Sequence, residues 1–216
     1  MADASTHRYP GGCFGRILVQ ILVAGTIGFT LALVFIVWPQ DLEDLRRGEK
    51  MPERNIKAVL SHAIENGYKV TLKEAEINQW LGRELVLKQG GLLSGVATLN
   101  RVWVRLEDGR AEVVMERTVL GQTFTVSMYL KVVQEEGDKG VKTEVQMQGG
   151  PYSDGLSLPV QGGRFGRLVV PQGFLMLVRP AFRKLADQFQ DEIHKLDDMA
   201  RISIEKGQLV LNPRGP

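Results

Sequence analysis

The chain has 216 residues, 44% of them apolar and 24% charged, with a formal net charge of +2. That balance fits a folded domain rather than a disordered tract, and it gives nucleic-acid binding no electrostatic footing. A single cysteine, Cys13, excludes an intrachain disulfide and any zinc site built from several thiolates.

After a short tail, residues 1–16, comes an unbroken apolar run from Ile17 to Trp38 with no charged residue in it. A helix needs about 20 residues to cross a bilayer core. The run is too long for a signal-peptide core and lacks a small-residue cleavage pattern, so it reads as an uncleaved single-pass anchor. Trp38 suits the membrane interface and Pro39 suits the helix end. Gln20, Ala24, Gly28 and Ala32 recur every four residues, a face on which a second copy or another membrane protein could pack closely. Arg8 and Arg16 precede the span; Arg46, Arg47, Lys50 and Arg54 follow it. The bare count favours a cytoplasmic domain. However, Arg16 abuts the span, and large domains translocate largely regardless of charge. The reading is a cytoplasmic tail and an extracytoplasmic domain on the cytoplasmic (inner) membrane. The absence of N-x-S/T after the span fits a bacterial cell envelope.

Residues 39–55 read as a juxtamembrane linker and residues 56–212 as the exported domain, with 213–216 a tail. Met51-Pro52 opens a helical pattern whose apolar face is Ile56, Val59, Leu60, Ala63 and Ile64, stopped by Asn66-Gly67. Thr71-Leu72-Lys73-Glu74 has the form of a capping box. It predicts a second helix through Ile77, Trp80, Leu81 and Leu85, ended by Gln89-Gly90-Gly91. From about Val96 to Met147 the period becomes two. Turns at Asp108-Gly109, Gly121 and Glu136–Gly140 divide this region into a four-stranded antiparallel meander with one apolar face. The Gly- and Pro-rich stretch 149–166 loops, with short strands near Leu156–Leu158 and Arg167–Val170. Apolar spacings of three and four then run from Phe174 to Leu196, predicting one long amphipathic helix, kinked or restarted at Pro180. Ile202 to Leu211 forms a closing hairpin about Lys206-Gly207. The expected fold is α+β: a transmembrane helix, two helices, a curved antiparallel meander, and a long C-terminal helix packed across its apolar face.

No dinucleotide fingerprint, Walker loop, G-x-S-x-G or H-E-x-x-H motif occurs. Ser61-His62 defines no triad. His194 with Asp191 and Asp198 reads as a solvated helix face rather than a metal site. No catalytic residue, metal or cofactor is therefore expected, and the protein reads as a non-enzyme. The loop Gly162–Arg167 is the one segment whose glycines and arginines suit a phosphate. Arg164 and Arg167 are the candidate headgroup ligands. Phe174, Val178 and Phe182 are the candidate lining of an apolar groove under the long helix.

The stretch Val70–Leu81, the segment Gly166–Pro171 and the closing Ile202–Leu209 hairpin resemble YpmS-type single-span bacterial envelope proteins and, more loosely, the tubular lipid-binding group. The resemblance implies an envelope protein that binds lipid, and supplies no catalytic residues. Two functions follow. One is a membrane-anchored binding module holding lipid or another apolar ligand between sheet and helix. The other is an assembly protein with a filled core that recruits partners in a membrane complex.

Overall fold

The computed structural model describes residues 12–49, 51–88, 97–137, 140–147 and 161–214. The expected strand near Leu156–Leu158 and the stop at Gln89-Gly90-Gly91 lie outside the described residues.

Helix α1 (Gly12–Val37) carries the apolar run. Its stretch Phe14–Val37 is the one helix among the described residues long and apolar enough to cross a membrane, and the domain leaves it uncovered. Its two threonines do not break it. The Thr26 and Thr30 hydroxyls donate to the Leu22 and Thr26 carbonyls, 2.8 Å in each case, so neither is left unsatisfied in an apolar medium.

The segment read as a linker belongs to the domain. The strap after α1 includes the short helix α2 (Glu43–Arg46), and Leu42 and Leu45 bury against Trp103 and Val114. Helix α3 (Ile56–Asn66) begins five residues later than Met51 suggests. Asn55 caps it, its side chain accepting from the Ala58 amide, and Gly67 ends it in the left-handed conformation. Val70–Lys73 is strand β1, not a capping box. Helix α4 (Glu74–Lys88) starts at Glu74, whose carboxylate reaches across to accept from the Leu106 amide at 2.6 Å.

The meander is present as β2 (Ala97–Glu107), β3 (Arg110–Val119), β4 (Gln122–Gly137) and β5 (Gly140–Met147), all antiparallel. β4 is long enough to serve two partners along one edge. Residues 130–137 pair with β5, and residues 126–128 pair with β6 (Gln161–Phe165). β7 (Leu168–Pro171) completes this six-stranded sheet. The free edge of β2 is covered by α4: the Asn78 side-chain amide both accepts from the Val104 amide and donates to its carbonyl, each at 2.7 Å. An edge strand otherwise offers unpaired groups to another chain.

The cover over the apolar face differs from expectation. The segment from Phe174 to Leu196 is not one helix. It is a 3-10 turn (Gln172–Leu177), then α5 (Arg179–Gln188) and α6 (Gln190–Asp197). Pro180 lacks an amide proton and suits a fresh helix start. At Phe189 the backbone leaves helical torsions, and its ring meets Trp80 edge-on at 5.5 Å. A second sheet supplies the rest of the cover. The closing hairpin β8 (Met199–Glu205) and β9 (Gln208–Pro213) pairs with β1 in the order β1-β9-β8. It is tied to the meander where the Gly109 amide donates to Ile204 and the Gly207 amide to Leu106. Val102, Met115, Met128, Leu175, Phe182 and Met199 are buried in the resulting core.

Candidate functional site

The loop singled out for its glycines and arginines is the β6–β7 turn, and it grips the C-terminal end of α1. The last four carbonyls of a helix lack intrahelical donors. Here the Arg167 amide donates to the Phe35 carbonyl at 2.8 Å, and the Arg167 Nε donates to the Pro39 carbonyl at 3.3 Å. The Arg167 guanidinium lies 4.5 Å from the centroid of the Trp38 ring, within cation–π range. Gly166 makes the approach possible. At φ +55 it takes a conformation that favours glycine, and a Cβ there would fall 2.4–2.5 Å from the carbonyl oxygens of Ile36, Phe35 and Trp38. The grip continues into the sheet, where the Gly166 amide donates to the Thr125 carbonyl and the Gln40 amide to the Thr125 hydroxyl.

Beyond Gln40 the strap crosses the outer face of the meander, the face opposite the core. It covers a charge network whose centre is Glu112, fully buried. Glu112 accepts from the Ser127 hydroxyl at 2.6 Å and from Arg105 at 3.1 Å, and Arg164 Nε stands 3.6 Å away. Arg105 also holds Asp44 of the strap at 3.0 Å. Burial alone would lower the Arg105 pKa, but Glu112 and Asp44 more than offset it and the net direction is upward. Arg164 donates to the Tyr129 hydroxyl at 2.8 Å. Burial, aided by the Glu112 charge, pushes the Tyr129 phenol up to about 12, so it is neutral and unreactive near pH 7. Two arginines face two carboxylates, and the charges balance. This is a latch between strap and sheet.

The expected ligand-binding set is therefore not gathered at one place. Arg164 is in the outer-face latch and Arg167 in the grip on α1. Phe182 is buried in the core, on the other side of the sheet; Val178 packs partly against that core and Phe174 is exposed. His194 interacts with Gln190 and Asp197 rather than with Asp191 and Asp198, and Ser61 meets Lys195, not a histidine. Gln20, Ala24 and Gly28 are exposed on α1 and Ala32 is partly covered. A Cβ on Gly28 would meet nothing within 4 Å.

The sequence does not mark Arg105, Glu112, Ser127 and Tyr129 as a site; they fall on the face of the meander opposite the apolar one. The signal was available. Arg105 and Glu112 are opposite each other across the Asp108-Gly109 turn, and Trp103 and Tyr129 put large rings on the supposedly wet face.

Along the core face Val102, Leu106, Met115 and Met128 are buried, while Val104, Val113, Val126 and Leu130, and toward the β3–β4 hairpin tip Leu99, Arg117, Val119 and Phe124, are partly exposed. The tip itself is Leu120-Gly121, both at positive φ, and Leu120 is 85% exposed. Four residues separate Gly121 from Thr125, about 13 Å of strand. The hairpin tip thus lies toward the end of the sheet at which α1 is gripped. No protein-family model, curated protein or solved structure matches the chain.

Proposed function

We propose that this chain is a non-enzymatic, membrane-anchored binding module that engages lipid at the surface of the bilayer holding it, with its domain on the extracytoplasmic side of a bacterial cytoplasmic membrane. The observation that carries this reading is the coincidence of the grip on α1 with the hairpin tip and its exposed Leu120. A domain on a free tether samples many poses; one whose own turn caps the membrane helix keeps that end beside the headgroups. The hairpin tip supports it. Two-residue hairpin turns with positive φ favour Asn and Gly, and a leucine there costs about 1 kcal/mol. An exposed Leu120 at the anchor end is explained by contact with lipid.

Lipid mass spectrometry on the full chain purified in mild detergent tests the proposal. Co-purifying lipid, and uptake of a fluorescent fatty acid after delipidation, is the expected result. A delipidated protein that takes up neither lipid nor fatty acid overturns it. A second reading, an assembly protein, is favoured by the filled core between the two sheets and by the uncovered Gln20, Ala24 and Gly28 face. Crosslinking in native membranes separates the two: a defined dimer or partner supports assembly, and monomer alone counts against it.

A further inference from the structure

Arg117 is a partly exposed polar residue on the core face, toward the β3–β4 hairpin tip. It lies on β3 opposite Leu99 of β2 and Phe124 of β4, with Met115 two residues away on the same face. Among the described residues its buried Nε has no hydrogen-bond partner, and its Nη2 has only the Met115 Sδ at 3.9 Å. No carboxylate among the described residues pairs with it. Glu116, its neighbour in sequence, points to the other face and binds Arg46 at 2.7 Å. Other arginines of the domain show the contrast: Arg105, Arg54 and Arg83 each hold a carboxylate at about 3 Å. Burial lowers the Arg117 pKa and no neighbouring charge raises it again. A guanidinium held on an apolar face without an anion is unfavourable unless something supplies one.

We infer that Arg117 seats the anionic head of an amphiphile, a phosphate or carboxylate carried on an acyl chain, whose apolar part lies along Leu99 and Phe124 toward the hairpin tip at Leu120. This deepens the lipid-binding reading above and rests on it. A free phosphate dianion would need several donors, whereas the surroundings here are one planar guanidinium and apolar side chains. That combination fits a single oxyanion whose remaining surface is hydrocarbon.

The test uses the full chain in a non-ionic detergent, delipidated, with native mass spectrometry as the readout. The probes are phosphatidic acid, oleate, a diacylglycerol with the same chains as the phosphatidic acid, and inorganic phosphate. The parent should retain phosphatidic acid or oleate at least about tenfold better than diacylglycerol, the size expected for a charge-assisted hydrogen-bonded pair. Arg117→Met should erase that preference while leaving diacylglycerol retention unchanged, Arg117→Lys should keep part of it, and inorganic phosphate should not displace the lipid. Without lipid, Arg117→Met should melt at or above the parent temperature. If the parent retains charged and neutral lipid equally and Arg117→Met changes nothing, the inference falls and the lipid-binding reading stands. If the parent retains no lipid of either kind, both fall. Displacement by inorganic phosphate would make this a simple anion site and overturn the amphiphile. A lipid-free Arg117→Met protein that melts well below the parent would assign the arginine a structural role, and would also overturn the inference.

Discussion

Replacing Gly166 by alanine should detach α1 from the domain while leaving the domain folded. The added Cβ would stand 2.4–2.5 Å from three carbonyl oxygens, all backbone atoms that no side-chain rotation can move aside. Relief requires the α1 end and the β6–β7 turn to separate. That breaks the Arg167 amide bond to Phe35, worth about 1 kcal/mol, and loosens the Arg167–Trp38 stack, worth about 0.5–1 kcal/mol. Alanine at φ +55 adds about 1 kcal/mol of its own. The total is about 3 kcal/mol, or roughly a hundredfold in the opening equilibrium. Hydrogen exchange at the Arg167 and Gln40 amides, followed by mass spectrometry on the full chain in detergent, reads this directly: both should exchange roughly a hundredfold faster. Gly109→Ala is the matched control. Its φ is +77, yet nothing lies within 4 Å of the new Cβ, so it carries only the torsional cost and should leave those two amides protected. Equal protection of Arg167 in the two variants would refute the claim that the turn grips the helix.

Three further outcomes follow from the same contacts. Asn78→Ala removes the amide that satisfies both Val104 groups on the covered edge of β2, and should cost about 2–4 kcal/mol in urea unfolding; a loss below 0.5 kcal/mol would mean water replaces it freely. Gln40→Met should leave stability unchanged or raise it by about 1 kcal/mol in the same assay, because both polar atoms of the Gln40 side chain are buried without partners. Tyr129 carries a signed pH effect. Its phenol ionises near 10 in the unfolded chain and near 12 in the fold, so its stabilisation is complete below pH 10 and is lost as pH rises to 12. The loss should be about 3 kcal/mol, and Tyr129→Phe should lack that part of the alkaline decline; identical pH curves for the two proteins would exclude it.

Much of the architecture was legible because its determinants are local. The apolar run that became α1, the period-two strands of the meander, the Asp108-Gly109 turn and the Lys206-Gly207 hairpin each declare themselves within a dozen residues. What failed was non-local. Thr71–Glu74 has the letters of a capping box, but Val70 and Leu72 are taken as a strand by Leu211 and Leu209, more than a hundred residues away. Periodicity from Phe174 to Leu196 predicts one helix, but the segment is a 3-10 turn and two short helices, and spacing could not show that Phe189 would leave the helix beside Trp80. With that helix broken, a small sheet takes over part of the cover.

The same limit explains the candidate site. Gly162–Arg167 has the right chemistry for an oxyanion, since glycine-rich backbone and guanidinium groups do bind oxygen atoms. The oxygens turned out to be the chain's own, on Phe35 and Pro39 for Arg167 and on Tyr129 and Glu112 for Arg164. Spacing reveals which groups can bind an acceptor, but only the fold reveals whether an internal acceptor has already taken them. Arg117 shows the converse. Between Glu116 and Thr118 it looks like one more surface charge, and the strand register alone turns it toward Leu99 and Phe124. The arginines that looked available are engaged internally, and the one that looked ordinary lacks an acid partner among the described residues. A ligand search in this chain should therefore begin at the hairpin end of the core face, not at the glycine-rich turn.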